Sequence, residues 1–239
     1  MLVSFIALKI TRYSDTQSIL TAYSREWGRV AFAIATGKGK NASRLRAMTM
    51  PMGIVECDTD MRPGREVLTM RQARPVTVLT DMHSNPLKQM VAMFLAEVLT
   101  KVLRESVPDR GIYDFIEGSA RCLDAMAVSD IGNFHICFLM HLGRLLGIEP
   151  DVTTYSPGGV MDMRDGIWRD CLPLHGEMLT PEESAEAARL ARMTYTNMKY
   201  FRYTRSQRAR VLDTVLRYYS LHVTPLSGLR SLEILRSMF

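Results

Sequence analysis

Ile19-Leu20-Thr21-Ala22-Tyr23, then Ser24-Arg25-Glu26-Trp27-Gly28, then Arg29-Val30-Ala31-Phe32-Ala33-Ile34-Ala35 follow one another without a break. In the last run Val30, Phe32 and Ile34 alternate with Ala31, Ala33 and Ala35, a period of two with one bulky and one small face. Ile19, Thr21 and Tyr23 alternate in the same way beside Leu20 and Ala22, and residues 24–28 are short enough to join the two runs as a hairpin. Working outward, further strand-like runs lie at residues 2–10, 50–57 and 66–72, the last two separated by an Arg62-Pro63-Gly64 turn. Five short strands in the first third of the chain predict a small closed barrel, of which the OB-fold is one solution. Helical periodicity is missing from this stretch.

At Ser84 the pattern changes. Ser84 or Asn85 caps, Pro86 sits in the first turn where its missing N–H costs little, and Leu87, Met90, Val91, Phe94, Val98 and Val102 follow helical spacing to about residue 104. Further helices are expected near residues 112–126 and 130–146, the latter stopped by Gly147 with Pro150 beyond. That third helix is apolar nearly all round, so it is either the centre of a bundle or leaves part of itself as a groove. Residues 155–174 interrupt the helices, with Asp165-Gly166 between Val160-Met161 and Ile167-Trp168 predicting a small hairpin. Thr180-Pro181-Glu182-Glu183 and Thr204-Arg205-Ser206-Gln207 each spell a capping box, and the helix opened by the second runs to about His222. A last short helix covers residues 228–238. The expected fold is α+β: an N-terminal OB-fold β-barrel, residues 1–81, followed by an α-helical domain, residues 82–239, with a small β-hairpin insertion.

Composition narrows the function. Of 239 residues 47% are apolar and 23% charged, enough core for a folded chain. The opening run to Leu8 lacks a basic leader and reads as a first strand, not a signal peptide. No stretch approaches the ~20 apolar residues of a membrane span, and a cytoplasmic protein is expected. Cys57, Cys122, Cys137 and Cys171 are too scattered for a metal knuckle and read as buried small hydrophobes. Gly37-Lys38-Gly39-Lys40 fails the phosphate-loop pattern Gly-x-x-x-x-Gly-Lys-Ser/Thr, because position 42, where the second glycine would fall counting from Gly37, is Ala. His135 and His141, six apart, fall on different faces of one helix. Asp162, Asp165 and Asp170 are ordinary turn chemistry, with cation binding as the alternative. No catalytic constellation, cofactor or metal site is read from the residues.

What remains is binding. Residues 1–81 hold twelve Lys and Arg against seven Asp and Glu, whereas residues 82–239 hold eighteen of each, so the whole formal charge of +5 lies in the first third. A basic first module suits a polyanion; plain solubility is the other explanation. Arg25, Arg29, Lys38, Lys40, Arg44 and Arg46 lie in the hairpin turn and in the loop expected after the alternating strand, where they suit phosphate contacts. Tyr13, Tyr23, Trp27 and Phe32 are nearby aromatics, for stacking on bases or for core; Phe32 reads as core, whereas Tyr13 lies in a loop. A second basic stretch, Lys199, Arg202, Arg205, Arg208 and Arg210, steps along the start of a late helix and by itself reads as a solvated face.

The runs Ile6-Ala7-Leu8-Lys9-Ile10-Thr11-Arg12-Tyr13-Ser14-Asp15 and residues 19–29, then Gly37-Lys38-Gly39-Lys40-Asn41-Ala42-Ser43, resemble the opening of the RecO family of bacterial DNA repair proteins. Arg208 through Leu212, Tyr218-Tyr219-Ser220-Leu221-His222 and Leu229-Arg230-Ser231-Leu232-Glu233-Ile234-Leu235 resemble its end. The resemblance implies an OB-fold followed by helices, and a recombination mediator that is no enzyme. Such a protein binds single- and double-stranded DNA, anneals complementary strands, and engages RecR and the single-strand-binding protein so that RecA loads. It also implies a slot for that protein's acidic, Phe-ended tail, for which Phe134, Phe138, Leu142 and Arg144 are the candidates by helix position. Many members carry a four-cysteine zinc knuckle; residues 151–174 here hold only Cys171. A transcription regulator or nucleoid-type protein, and a metal-dependent nuclease using the hairpin acids, are the rival expectations.

Overall fold

The computed structural model describes residues 1–35, 37, 39–60, 66–103 and 107–239. Lys38, the Arg62-Pro63-Gly64 turn and the helix end expected near residue 104 lie outside them. The strands are β1 (Leu2–Arg12), β2 (Gln17–Ser24), β3 (Gly28–Ala35), β4 (Ile54–Asp58), β5 (Val67–Thr69) and β6 (Arg71–Pro75), in the sheet order β5-β3-β2-β1-β4-β6. Its two edges, β5 and β6, are joined through Met70 alone, so the sheet curls until its edges meet, as in an OB-type barrel. The β2–β3 hairpin forms as read: Ser24 pairs with Gly28, and the Ser24 hydroxyl accepts from Glu26 N at 3.2 Å and Trp27 N at 3.0 Å. Val30, Phe32 and Ile34 point inward with Phe5, Ala7, Leu20, Ala22 and Leu68, and the Phe5 and Phe32 rings pack at 4.7 Å. Two details differ from expectation. The run at 66–72 is two strands that break at Met70, and the run at 50–57 becomes extended only from Ile54. Gly53 stands at the entry because a Cβ there would lie 2.4 Å from the Met48 carbonyl oxygen.

The helices are α1 (Lys40–Met48), α2 (Thr80–Ser84), α3 (Pro86–Val102), α4 (Arg110–Ala125), α5 (Phe134–Leu145), α6 (Pro181–Leu190), α7 (Arg205–His222) and α8 (Arg230–Met238). Two compact units result, residues 1–128 with 229–238, and residues 129–228 with 239. In the first, α3 packs against β1, and Asn85 caps it by accepting from Leu87 N at 3.0 Å and Lys88 N at 3.4 Å. Lys88 is fully buried; its ammonium pairs with Asp81 and donates to the Asp124 carbonyl at 2.7 Å, which ties α2, α3 and α4 together. The C-terminal helix α8 returns to α3. The Glu97 carboxylate accepts from Arg230 N and Ser231 N at 2.9 Å and from the Ser231 hydroxyl at 2.5 Å, capping a helix more than a hundred residues away in sequence. Burial alone would raise the Glu97 pKa, but these donors and Lys9 hold it below the usual range.

In the second unit α5 is the centre of the bundle. Phe134, His135, Ile136, Cys137, Phe138, Leu139 and Leu142 are all buried, as a helix at the bundle's centre requires. It starts later than expected, after a 3-10 stretch at Val128–Asn133, and ends in a Schellman turn. There Ile148 N bonds Gly143 O at 3.0 Å and Gly147 N bonds Arg144 O at 3.1 Å, with Gly147 at φ +71°. Both capping boxes form, Thr180 with Glu183 and Thr204 with Gln207. The expected hairpin is β7 (Val160–Asp162) with β8 (Ile167–Arg169). Met161 and Trp168 bury against Met163, Leu179 and Tyr218. Asp162, 2% exposed, accepts from Arg164 N at 3.0 Å, Asp165 N at 3.2 Å and Arg169 Nε at 3.1 Å, with His175 Nε2 at 3.4 Å. Burial opposes its charge, yet these donors keep it ionised below the usual carboxylate range.

Burial lowers the pKa of three histidines, His83, His135 and His141, and pushes fully buried His135 down to about 3. The unfolded chain then binds more protons below pH 6.5, so stability is complete above that value and falls as the pH drops toward 3. For His135 alone the loss at pH 5 is about 2 kcal/mol. Thermal melts between pH 7.5 and 5 are expected to show a falling midpoint, and His135→Gln, though less stable at pH 7.5, a shallower fall.

Candidate nucleic-acid interface

The basic segment after β3 is a helix where a loop was expected. Lys40, Arg44 and Arg46 stand on α1, which buries no residue and leans on the barrel through half-buried Leu45 and Met48. Lys40 and Arg44, one turn apart, share a face, and among the described residues neither makes an ion pair. Gly39 caps the helix without a side-chain bond and its first turn holds no acid. A lysine at the positive end of the helix dipole is disfavoured by a few tenths of a kcal/mol, a cost that an anion there would offset. Arg46 lies on the other flank, donating to the Gly37 carbonyl at 2.9 Å.

That flank borders an open groove in the barrel unit. Leu8, Ile10, Met93 and Ile234 make an apolar floor, with Lys9, Arg46 and Arg230 around it. Among the described residues Glu97 is the one acid in the lining, and its oxygens are taken by the α8 cap. Lys9 and Arg230 escaped the sequence reading. Lys9 sits in a strand whose neighbours look like core, and Arg230 reaches the groove only because α8 folds back. Beyond the groove the β1–β2 hairpin is exposed from Lys9 to Gln17, with Arg12 paired to Asp15 at 2.5 Å and Tyr13, 73% exposed, at its tip.

The two arginines of the β2–β3 hairpin are placed differently. Arg25 pairs with Asp114 at 3.0 Å and lies over the Tyr113 ring at 5.7 Å, and Arg29 donates to the Thr100 carbonyl at 2.8 Å. Both hold the hairpin to helices of the same unit. Of the companion aromatics, Phe32 is core, and buried Tyr23 accepts from Asp109 N at 3.1 Å through its hydroxyl.

The proposed tail slot is filled. Phe134, Phe138 and Leu142 are fully buried core side chains, and Arg144 is held bidentately by Glu149 at 2.6–2.9 Å. A small apolar cavity lies along another face of α5, lined by Leu139, Met140, Met161, Val215 and Tyr218, with Glu149 among its lining residues.

Nor do the residues fit the zinc knuckle of the resembling family. Cys171 is exposed and Cys122 half-buried, so only Cys57 and Cys137 are the buried hydrophobes expected; burial pushes the Cys57 thiol up to about 12. The hairpin acids are engaged: Asp162 as above, Asp165 by Arg169, and Asp170 by the Ser156 hydroxyl at 2.7 Å. His175 turns to Asp162. Among the described residues no three His, Cys, Asp or Glu side chains gather to hold a metal, and no helix is long and apolar enough to cross a membrane.

An OB-type barrel with unpaired cations on its α1 flank, followed by helices, defines a two-part architecture of the kind nucleic-acid-handling proteins use. Comparison with known proteins narrows it. The family model described as Recombination protein O N terminal matches residues 2–79, and Recombination protein O C terminal matches residues 83–233. The chain is 32% identical to the DNA repair protein RecO of Bacteroides fragilis and 33% to that of Phocaeicola vulgatus, each alignment covering 98% of this chain and 97% of the relative. The RecO of Porphyromonas gingivalis is 33% identical over the same shares. The chain belongs to the RecO family of DNA repair proteins.

Since the residues at the hairpin do not suit zinc, the purified protein is expected to carry well under one zinc per chain after dialysis. Elemental analysis checks this, and stoichiometric zinc would require ligands other than those gathered near Cys171.

Proposed function

We propose that this protein is a recombination mediator that binds single- and double-stranded DNA through its barrel unit and anneals complementary strands. It makes and breaks no covalent bond. Its task is to lower the barrier for replacing the single-strand-binding protein by RecA on DNA, with RecR as a partner. The observation that carries this reading is the α1 surface. Among the described residues Lys40, at the positive end of the helix, and Arg44, one turn on, have no carboxylate partners, beside a groove ringed by Lys9, Arg46 and Arg230. Phosphates are the ligands that suit such a surface. The exposed Tyr13 ring on the neighbouring hairpin offers a face to an unpaired base. The work is done on DNA in the cytoplasm.

Replacing Lys40, Arg44 and Arg46 together by alanine is expected to weaken binding of a labelled oligonucleotide several-fold. It should also flatten the log–log salt dependence by about 2, since each lost single-strand phosphate contact removes about 0.7. The helix buries none of the three side chains, so the melting temperature should hold within a few degrees. Unchanged affinity and slope in the folded triple variant would refute the reading.

For the single-strand-binding protein's tail, the cavity beside α5 replaces the filled positions. Opened to admit a ring, its apolar lining would take the terminal phenylalanine, and Arg144, once released from Glu149, the carboxylate. Arg144→Glu is expected to weaken a tail peptide several-fold while leaving bare-DNA affinity unchanged. Wild-type peptide binding would send the tail elsewhere.

A further inference from the structure

The even charge count of residues 82–239 conceals a dense cationic run. Residues 189–210 hold seven Lys and Arg and no Asp or Glu. Two of the seven are used within the second unit. Arg189 pairs with Glu186 at 2.7 Å and lies over the Phe201 ring at 5.3 Å, and Arg208 donates to Asn133 Oδ1 at 3.0 Å and to the Tyr203 carbonyl at 3.2 Å. Arg192, Lys199, Arg202, Arg205 and Arg210 are exposed, and among the described residues Arg192, Lys199, Arg202 and Arg210 make no ion pair.

The segment that presents them is braced. Asn133, 5% exposed, donates to the Met198 carbonyl at 3.0 Å and the Phe201 carbonyl at 2.7 Å, and Met198 itself is buried. Upstream, Thr194 and Asn197 exchange hydrogen bonds of 2.8 and 3.2 Å, and Asn197 Nδ2 donates to the Arg192 carbonyl at 2.9 Å. Between these anchors Lys199 and Tyr200 face solvent. The Tyr200 ring is 70% exposed, with the Lys199 ammonium 5.4 Å from its centroid. A flat ring held outward on a fixed turn, among cations that repel one another unless a polyanion lies across them, is the pattern of a single-strand stacking platform. An acidic peptide would match the charge but leave the ring unexplained.

We infer that residues 192–205 form a second contact for single-stranded nucleic acid, separate from the α1 surface. This rests on the reading that the protein handles DNA, and it adds what annealing requires: a place for a second strand on one chain.

The test uses the full chain and a labelled oligothymidylate carrying 5-iodouracil. Irradiation of the wild type is expected to give an adduct at Tyr200 by mass spectrometry. In anisotropy titrations Tyr200→Ala should weaken binding by about fivefold or more at an unchanged salt slope. Lys199→Ala with Arg202→Ala should lower the slope by about 1.4. Arg164→Ala, an exposed cation outside the run, is the control for general charge. No Tyr200 adduct, with both variants within twofold of that control, overturns the inference while the α1 result stands. Loss of an acidic-peptide contact with DNA binding intact also overturns it, making the surface a protein contact. If the α1 variants bind like wild type as well, it is the barrel reading that has failed.

Discussion

One strand serves two partners, and the barrel unit depends on it. β1 pairs with β4 over Leu2–Ile6 and with β2 from Phe5 onward, so at Phe5 and Ile6 the same backbone is bonded on both sides. Sharing a strand in this way curls the sheet, and the single-residue link at Met70 closes it. Over Val3, Phe5 and Ala7 the strand faces the barrel core; Ile6 and Leu8, on its other face, are also buried, on the strand that α3 packs against. The register then slips between Ala7 and Lys9. Past that irregularity the side chains are exposed, so the strand that builds the core also carries Lys9, Ile10 and Arg12 out to the surface.

Charge follows the same logic of commitment and surplus. Arg25 and Arg29 close hydrogen bonds onto α4 and α3, whereas among the described residues Lys40 and Arg44 have no carboxylate partner. A formal count cannot separate these cases, because a lysine's partner is set by tertiary structure. The second unit makes the point in reverse. There Arg169, Arg189 and Arg217 engage Asp162, Asp165, Glu186 and Glu177, whereas among the described residues exposed Arg192, Lys199, Arg202 and Arg210 make no ion pair.

Legibility in the sequence tracked how local each cause is. The Ser24–Gly28 hairpin, the Asn85-Pro86 start, the two capping boxes and the Gly147 stop rest on contacts within a few residues, and each was readable. Helix α1 was not, because Lys40-Asn41-Ala42-Ser43-Arg44 carries no apolar periodicity and the helix buries nothing. The groove around Lys9 and Arg230 needs Glu97 to cap α8 from across the sequence, which no local pattern encodes. The tail-slot residues failed for a related reason. Periodicity shows that Phe134, Phe138 and Leu142 are apolar, but an all-apolar helix does not say which of its faces its neighbours cover.

As proposed above, this chain moves strands by binding alone, through cations on the barrel unit. The most direct measurement is annealing of complementary strands coated with the cognate single-strand-binding protein, followed by fluorescence transfer with a chelator and no nucleotide present. The wild type is expected to accelerate annealing, and the gain to be lost when Lys40, Arg44 and Arg46 are alanine. Annealing no faster than with coated strands alone, or undiminished in that variant, would contradict it.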